Sequence, residues 1–324
     1  MRNLSMNMKR AAVASLLFGA LASGAFAQEK SVAVTAIVDH PALDAVRDGV
    51  LAELKASGFE VGKNLKWQSQ SAQGNTGTAA QIARKYVGDG ASVIVPISTP
   101  SAQAVAVATK DIPIVYSAVG DPVAAGLVKS WAPSGTNVTG VSDSVPAEKQ
   151  LEVIKQAVPA AKRIGVIYNP GEANSVAFVA SMKSKLSAYG YSLVEAAAPR
   201  SVDVSTAAKS LIGKVDLIFA PTDNTVASAF PGVAKVANEA KIPLFAGDND
   251  MVKQGAAFGL GLNYGDIGRQ TGKIVVRILK GEAPGAIASQ TSATYELYVN
   301  AEAAKAQGVN LPESLMKTAK LVTK

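Results

Sequence analysis

The chain has 324 residues, 48% of them hydrophobic and 18% charged, with a formal net charge of +7. That balance excludes an intrinsically disordered chain, and the length exceeds what one hydrophobic core supports, so about two domains are expected. Cysteine is absent and His40 is the only histidine, which excludes disulfides, thiol nucleophiles, zinc-thiolate or iron–sulfur sites and a multi-histidine metal centre.

In chain order, the first 27 residues read as an export signal. Arg2, Lys9 and Arg10 precede an apolar run over Ala11–Leu21, and Ala25-Phe26-Ala27 is a small-x-small cleavage site. The run is too short to span a membrane. Cleavage after Ala27 leaves 297 residues with a net charge near +4 and no basic cluster, so nucleic acid is not an expected partner. No later stretch reads as a transmembrane helix.

Ser31–Val38 then reads as a buried strand, and Ala42–Ser57 as an amphipathic helix turning Leu43, Val46, Val50, Leu51 and Leu54 inward. Ser92–Ile97 follows as a strand, Ser101–Thr109 as a helix and Ile112–Tyr116 as a strand. Continuous apolar strands joined by crossover helices predict a parallel sheet covered on both faces. The second half repeats the pattern: Arg163–Tyr168 corresponds to Ser31–Ala36, Asp216–Asp223 to Ser92–Thr99, and Ile242–Phe245 to Ile112–Val115. Asp266–Leu279 reads as a late helix and Tyr295–Val299 as a late strand. The expectation is α/β: two Rossmann-like lobes with parallel sheets, joined near Thr139–Pro146. Lobe 1 takes residues 28–143 plus about 263–290, and lobe 2 takes 144–262 plus about 291–324.

Ligands of such sheets sit beyond the carboxyl ends of the strands, so the loops there are the candidates. In lobe 1 they carry His40, Ser98 and Thr99, each before or beside a proline at a helix start. Helix N-termini with hydroxyls can hold a carboxylate, and the same residues suit plain N-capping. In lobe 2 the loops carry Asn169, Ser175, Thr222, Asp223, Asn224 and Asp248, whose carboxylates and amides suit an ammonium or hydroxyl group. Asp248 is the preferred cation partner. Of Tyr116, Tyr168, Phe230 and Tyr264, one or two are expected to touch a ligand. His40 as a catalytic base lacks a Gly-x-Ser-x-Gly nucleophile elbow, and no phosphate-binding Gly-Lys-Ser/Thr loop occurs.

The segments HPALDAVRDG (His40–Gly49), ISTPSAQA (Ile97–Ala104), AVGDPVAAGLV (Ala118–Val128), NVTGVSD (Asn137–Asp143), YNPGEANS (Tyr168–Ser175), PTDNTVASA (Pro221–Ala229) and NYGDIGRQTGK (Asn263–Lys273) resemble those of ABC-transporter substrate-binding proteins of the tryptophan/tyrosine-type group. The resemblance runs through nearly the whole mature chain in order. It implies a type I periplasmic binding protein with three hinge crossings and a closing cleft, and characterised members are associated with aromatic amino acids. It adds Ser117 and Asp121 to the candidate binding residues. It also places the ligand carboxylate at Ser98 and Thr99 and the ammonium at Asp248 or Asp223. Val119-Gly120-Asp121 departs from the acidic or Thr-Asp pattern the group often has there.

The resulting expectation is a periplasmic protein that captures an amino-acid-like ligand by lobe closure. It would act as a monomer without cofactor or metal and deliver to an ABC permease served by a separate ATPase chain. Without a cysteine for lipid attachment, free diffusion in a Gram-negative periplasm fits. A protein feeding a membrane sensor, a binder of nucleosides or sugars, and a secreted hydrolase using His40 are the alternatives.

Overall fold

The computed structural model describes residues 29–292 and 294–322, so the export-signal reading lies outside the described residues. The strands of lobe 1 are β1 (Lys30–Ala36), β2 (Leu65–Ser71), β3 (Val93–Ile97), β4 (Ile114–Ser117) and β5 (Val138–Ser142). Those of lobe 2 are β6 (Arg163–Tyr168), β7 (Ser192–Ala197), β8 (Leu217–Ala220), β9 (Leu244–Ala246) and β10 (Phe258–Leu262), followed late in the chain by β11 (Gln290–Thr291), β12 (Tyr295–Asn300) and β13 (Lys320–Val322).

Two sheets result, in the orders β11-β5-β4-β3-β1-β2 and β13-β12-β10-β9-β8-β6-β7. The first five strands of each lobe occupy the same places, and all their pairings are parallel. Among the described residues, β10 pairs antiparallel with β12. The segments matched in the sequence are therefore equivalent strands: β1 with β6, β3 with β8, and β4 with β9. Their runs of Val, Ile and Leu are buried because helices cover both sheet faces.

Within the two parallel sets of five, β2, β5 and β7 lack the apolar run of their neighbours. β2 and β7 are edge strands, partly exposed and carrying polar residues, LKWQSQS and SLVEAA. β5 (VTGVS) has the small polar composition of a linker, yet it is fully buried between β4 and β11. The chain passes between the sheets after β5, after β10, and between β11 and β12.

The helices that place the site are α1 (Pro41–Ala56), α2 (Thr76–Gly88), α3 (Thr99–Ala108), α4 (Ala147–Ala157), α5 (Ala173–Tyr189), α6 (Val204–Ser210), α7 (Asn224–Ser228), α8 (Phe230–Ala240), α9 (Asn249–Lys253) and α10 (Tyr264–Leu279). α10 returns from lobe 2 to lie against α1, a close crossing in which Gly268 abuts the Val46 backbone. This crossing fixes the start of α10, and with it Tyr264, on the floor between the lobes.

Candidate functional site

On the lobe 1 side, three strand exits converge. After β1, His40 caps α1, its Nδ1 accepting from the Ala42 N–H at 3.3 Å, while its Nε2 is buried and has no partner. After β3, Ser98 holds φ 74°, ψ 155°, a backbone state that side-chain-bearing residues rarely adopt, and α3 begins at the next residue. The Thr99 hydroxyl is buried without a partner. After β4, Ala118 sits at φ 51°. Both exits thus hold backbone conformations that cost on the order of 1–3 kcal/mol each and that the surrounding structure must maintain.

On the lobe 2 side, carboxylates dominate. Asp223 caps α7 through Oδ1, which accepts from the Val226 N–H at 2.8 Å, and its Oδ2 takes the Asn169 N–H at 2.7 Å and the Ser175 hydroxyl at 2.6 Å. Glu172 binds the start of the same helix, accepting from the Asn224 side-chain amide at 2.5 Å and the Thr225 hydroxyl at 2.8 Å. Burial, reinforced by the neighbouring charge of Glu172, pushes the Asp223 carboxyl well above the usual carboxylate range. Asp248 caps α9 with Oδ1 only, taking the N–H groups of Asp250 and Met251 at 2.6 and 3.0 Å. Burial raises its pKa too, partly offset by His40 facing it from the other lobe.

The hinge supplies the rest. Asp143, just after β5, accepts a hydrogen bond from the Tyr264 hydroxyl at 3.0 Å, so two crossings are tied together inside the cleft. Complete burial pushes the Asp143 carboxyl up to about 6 and lifts the Tyr264 phenol well above its ordinary value. Across the cleft, the Ser98 hydroxyl donates to Asn224 Oδ1 at 2.9 Å.

Together these residues line one space between the lobes. The lining includes His40, Ser98, Thr99 and Ala118 from lobe 1, Asn174, Asp223, Asn224 and Asp248 from lobe 2, and Asp143 with Tyr264 at the hinge. Three aspartates line this space, and no lysine or arginine is among the described lining residues. Among the described residues, no group of three or more His, Asp or Glu side chains is placed to hold a metal.

The model of the ABC transporter substrate binding protein family matches residues 31–323. The chain belongs to that family. As an ABC substrate-binding protein it is 41% identical, over 279 residues, to a tyrosine-binding protein of Clostridioides difficile strain R20291, a match covering 86% of this chain and 81% of that one. The ABC domain from Streptococcus pneumonia solved in complex with L-Trp superposes at a TM-score of 0.88 with 33% identity, covering 91% of this chain and all of that one. A ligand-free, open substrate-binding protein with adhesive properties from Clostridium difficile superposes at 0.70 with 43% identity, covering 91% of this chain and 99% of that one. ABC substrate-binding proteins are extracellular or periplasmic, and no described helix is long and apolar enough to cross a membrane.

Of the residues singled out in the sequence, this substrate-binding protein brings His40, Ser98, Thr99, Thr222, Asp223, Asn224 and Asp248 to one cavity. The other four do not line it, although Asp121 lines the space that adjoins it. Ser117 is fully buried, its hydroxyl 2.6 Å from that of Thr271 on α10. Asp121 turns its carboxylate onto the N–H groups of Val123 and Ala124. Asn169 bonds the Thr225 hydroxyl, and Ser175 supports Asp223 from behind. Of the four aromatic candidates only Tyr264 lines the cavity; Tyr116 and Phe230 lie in the cores, and Tyr168 bonds Glu195 at the surface. Asp143 and Asn174 are polar lining residues that lie inside the segments resembling the family but not among the candidate site residues. Asp143 does follow a strand, as the other site residues do, but its strand was hidden by linker-like composition.

Proposed function

We propose that this protein binds the zwitterionic head of an aromatic amino acid in the cleft and delivers it to an ABC permease, without performing chemistry. The observation that carries this reading is the set of three buried aspartates with no lysine or arginine among the described lining residues, opposite the unpartnered Thr99 hydroxyl and His40 Nε2 at helix starts. An ammonium restores to Asp248, Asp143 and Asp223 the positive partner that burial denies them. A carboxylate meets the Ser98–Thr99 start of α3 and His40 Nε2. Asp248 is the primary ammonium partner, because one of its oxygens is engaged by backbone while both of Asp223's are taken.

The tyrosine-binding relative and the L-Trp complex support an aromatic side chain. The lower superposition score against the open relative, despite higher identity, supports a closed lobe arrangement here. His40 Nε2 meets no hydroxyl, so a serine nucleophile activated by it has no support. We further place the mature protein in the periplasm after cleavage behind Ala27, acting as a monomer with its permease and ATPase as separate chains.

The test is a thermal-shift and calorimetry screen of protein refolded from denaturant to strip bound ligand. Phe, Tyr or Trp should raise the melting temperature by several degrees, and Asp248→Asn should weaken binding about 10–100-fold, the loss of a charge-assisted hydrogen bond. A flat response to all twenty amino acids overturns the amino-acid reading.

A further inference from the structure

A second chamber adjoins the cleft. It shares Gly120, Asp143, Asn174 and Thr222 with the cavity described above and continues toward the hinge between α4 and α5. Its far wall holds Gln150, Phe178 and the apolar Val145, Pro146 and Ala177. Gln150 is the oddity. α4 buries Ala147, Gln150, Leu151, Ile154 and Ala157 as one stripe, and a glutamine stands where helical periodicity calls for an apolar residue. It is 3% exposed, and its Oε1 has no hydrogen-bond partner. The side-chain oxygen of Asn174, in the wall common to both spaces, is likewise buried and unpartnered. Buried amide oxygens without partners are costly and uncommon, and two of them on residues that line one chamber point to a polar group that arrives with a ligand.

The chamber's shape is held firmly. Phe178 packs edge-on against Phe219 with ring centroids 5.3 Å apart, and Phe219 against Phe245 at 4.8 Å, so its ring is braced by the lobe 2 core. A ligand whose head lies between Ser98 and Asp248 has this chamber on the hinge side and the solvent-facing mouth, with Asp39, Gln73 and Arg200, on the other.

We propose that the chamber is the side-chain subsite and that Gln150 selects flat side chains ending in a hydrogen-bond donor, a phenol or an indole, over a bare benzyl group. This inference rests on the amino-acid reading above and names the specificity residue within it. The Phe178 ring and the apolar wall take the flat faces, and the Gln150 and Asn174 amide oxygens accept from the distal O–H or N–H.

Tyr and Phe differ by a single hydroxyl, so they are the probes. Calorimetry on ligand-stripped wild type should show Tyr bound about tenfold more tightly than Phe. Gln150→Leu should erase that preference by weakening Tyr about tenfold while leaving Phe within about twofold, and should raise the melting temperature of the free protein. Equal weakening of both ligands, or no change in either, overturns the assignment of Gln150. Ala177→Leu, which fills the chamber without touching the amide, covers the case in which Gln150→Leu does not fold. It should weaken Tyr and Trp about tenfold or more but glycine-sized ligands little, and unchanged Tyr and Trp binding overturns the subsite. If the wild type binds no amino acid, the amino-acid reading fails first and this inference with it; if it binds all three but the variants show no selectivity, only the subsite fails.

Discussion

In the proposed binding cleft, Asp143 is a buried carboxyl whose charge comes at an energetic cost. It has no lysine or arginine among the described residues lining the cavity, and it accepts from the Tyr264 hydroxyl and its own backbone N–H. An ordinary aspartate ionises near 3.8, and burial lifts this one to about 6. Because the folded value lies above the unfolded one, the folded protein holds the extra proton between those two values. Stability of the free protein is therefore unpenalised below about pH 4, falls as pH rises toward 6, and carries the full cost above. At pH 8 that cost is about 3 kcal/mol. Asp143→Asn keeps an acceptor for Tyr264 and removes the charge. Its melting temperature should exceed that of the ligand-free wild type by about 6 °C at pH 8 and match it near pH 4. A variant less stable than wild type at pH 8 would show that the charge is already compensated within the protein. Amino-acid affinity should move the opposite way: an ammonium ligand needs the ionised form, so binding to the wild type weakens as pH drops through about 6, and the dependence flattens in Asp143→Asn.

At the scale of elements, the site is a meeting of helix starts, and their legibility in the sequence varied with composition. α1 and α3 announced themselves through His40-Pro41 and Ser98-Thr99-Pro100, since proline at a first helical turn is a local signal. The internal repeat was readable because equivalent strands bury equivalent apolar runs. β5 was not, because Gly140, Thr139 and Ser142 carry no apolar periodicity and their burial comes from β4 and β11, which are remote in sequence. Asp143 was lost with it. Ser117 failed for a different reason. It ends a strand as the true lining residues do, but α10 lies over it and Thr271 takes its hydroxyl, a tertiary contact 154 residues away in sequence. α10 itself depends on close approach to α1. A Cβ at Gly268 would run into the Val46 backbone, so the two helices could not keep their spacing. Gly268→Val should therefore destabilise the protein by about 2–4 kcal/mol in urea titration, as overpacking against backbone does, and displace Tyr264 from the cleft. A loss below about 0.5 kcal/mol would show that the helices separate freely and that their contact does not set the floor.

For the whole molecule, the question is what holds two lobes together before a ligand arrives. The cleft is spanned by the Ser98 hydroxyl on Asn224, and Asn224 is in turn anchored by Glu172, so the contact ends on a residue that cannot swing away. Such a bond contributes about 1 kcal/mol net, enough to shift an open–closed equilibrium roughly fivefold without locking it. Three chain crossings act as the hinge, and two of them are joined by Tyr264 and Asp143, which also line the cavity. Ligand contacts made on both lobes exist only in the closed state, so a ligand biases closure by the affinity it gains there. Ser98→Ala removes the bridging hydroxyl while leaving Asn224 bound to Glu172. In the free protein, small-angle scattering should then show a larger radius of gyration than wild type, and the two proteins should become superimposable at saturating Tyr. The Tyr dissociation constant should rise about fivefold or more, since closure now draws on ligand contacts alone. Identical scattering of the free proteins, with a weakened Tyr affinity, would instead assign the Ser98 hydroxyl wholly to the ligand carboxylate and none of it to closure.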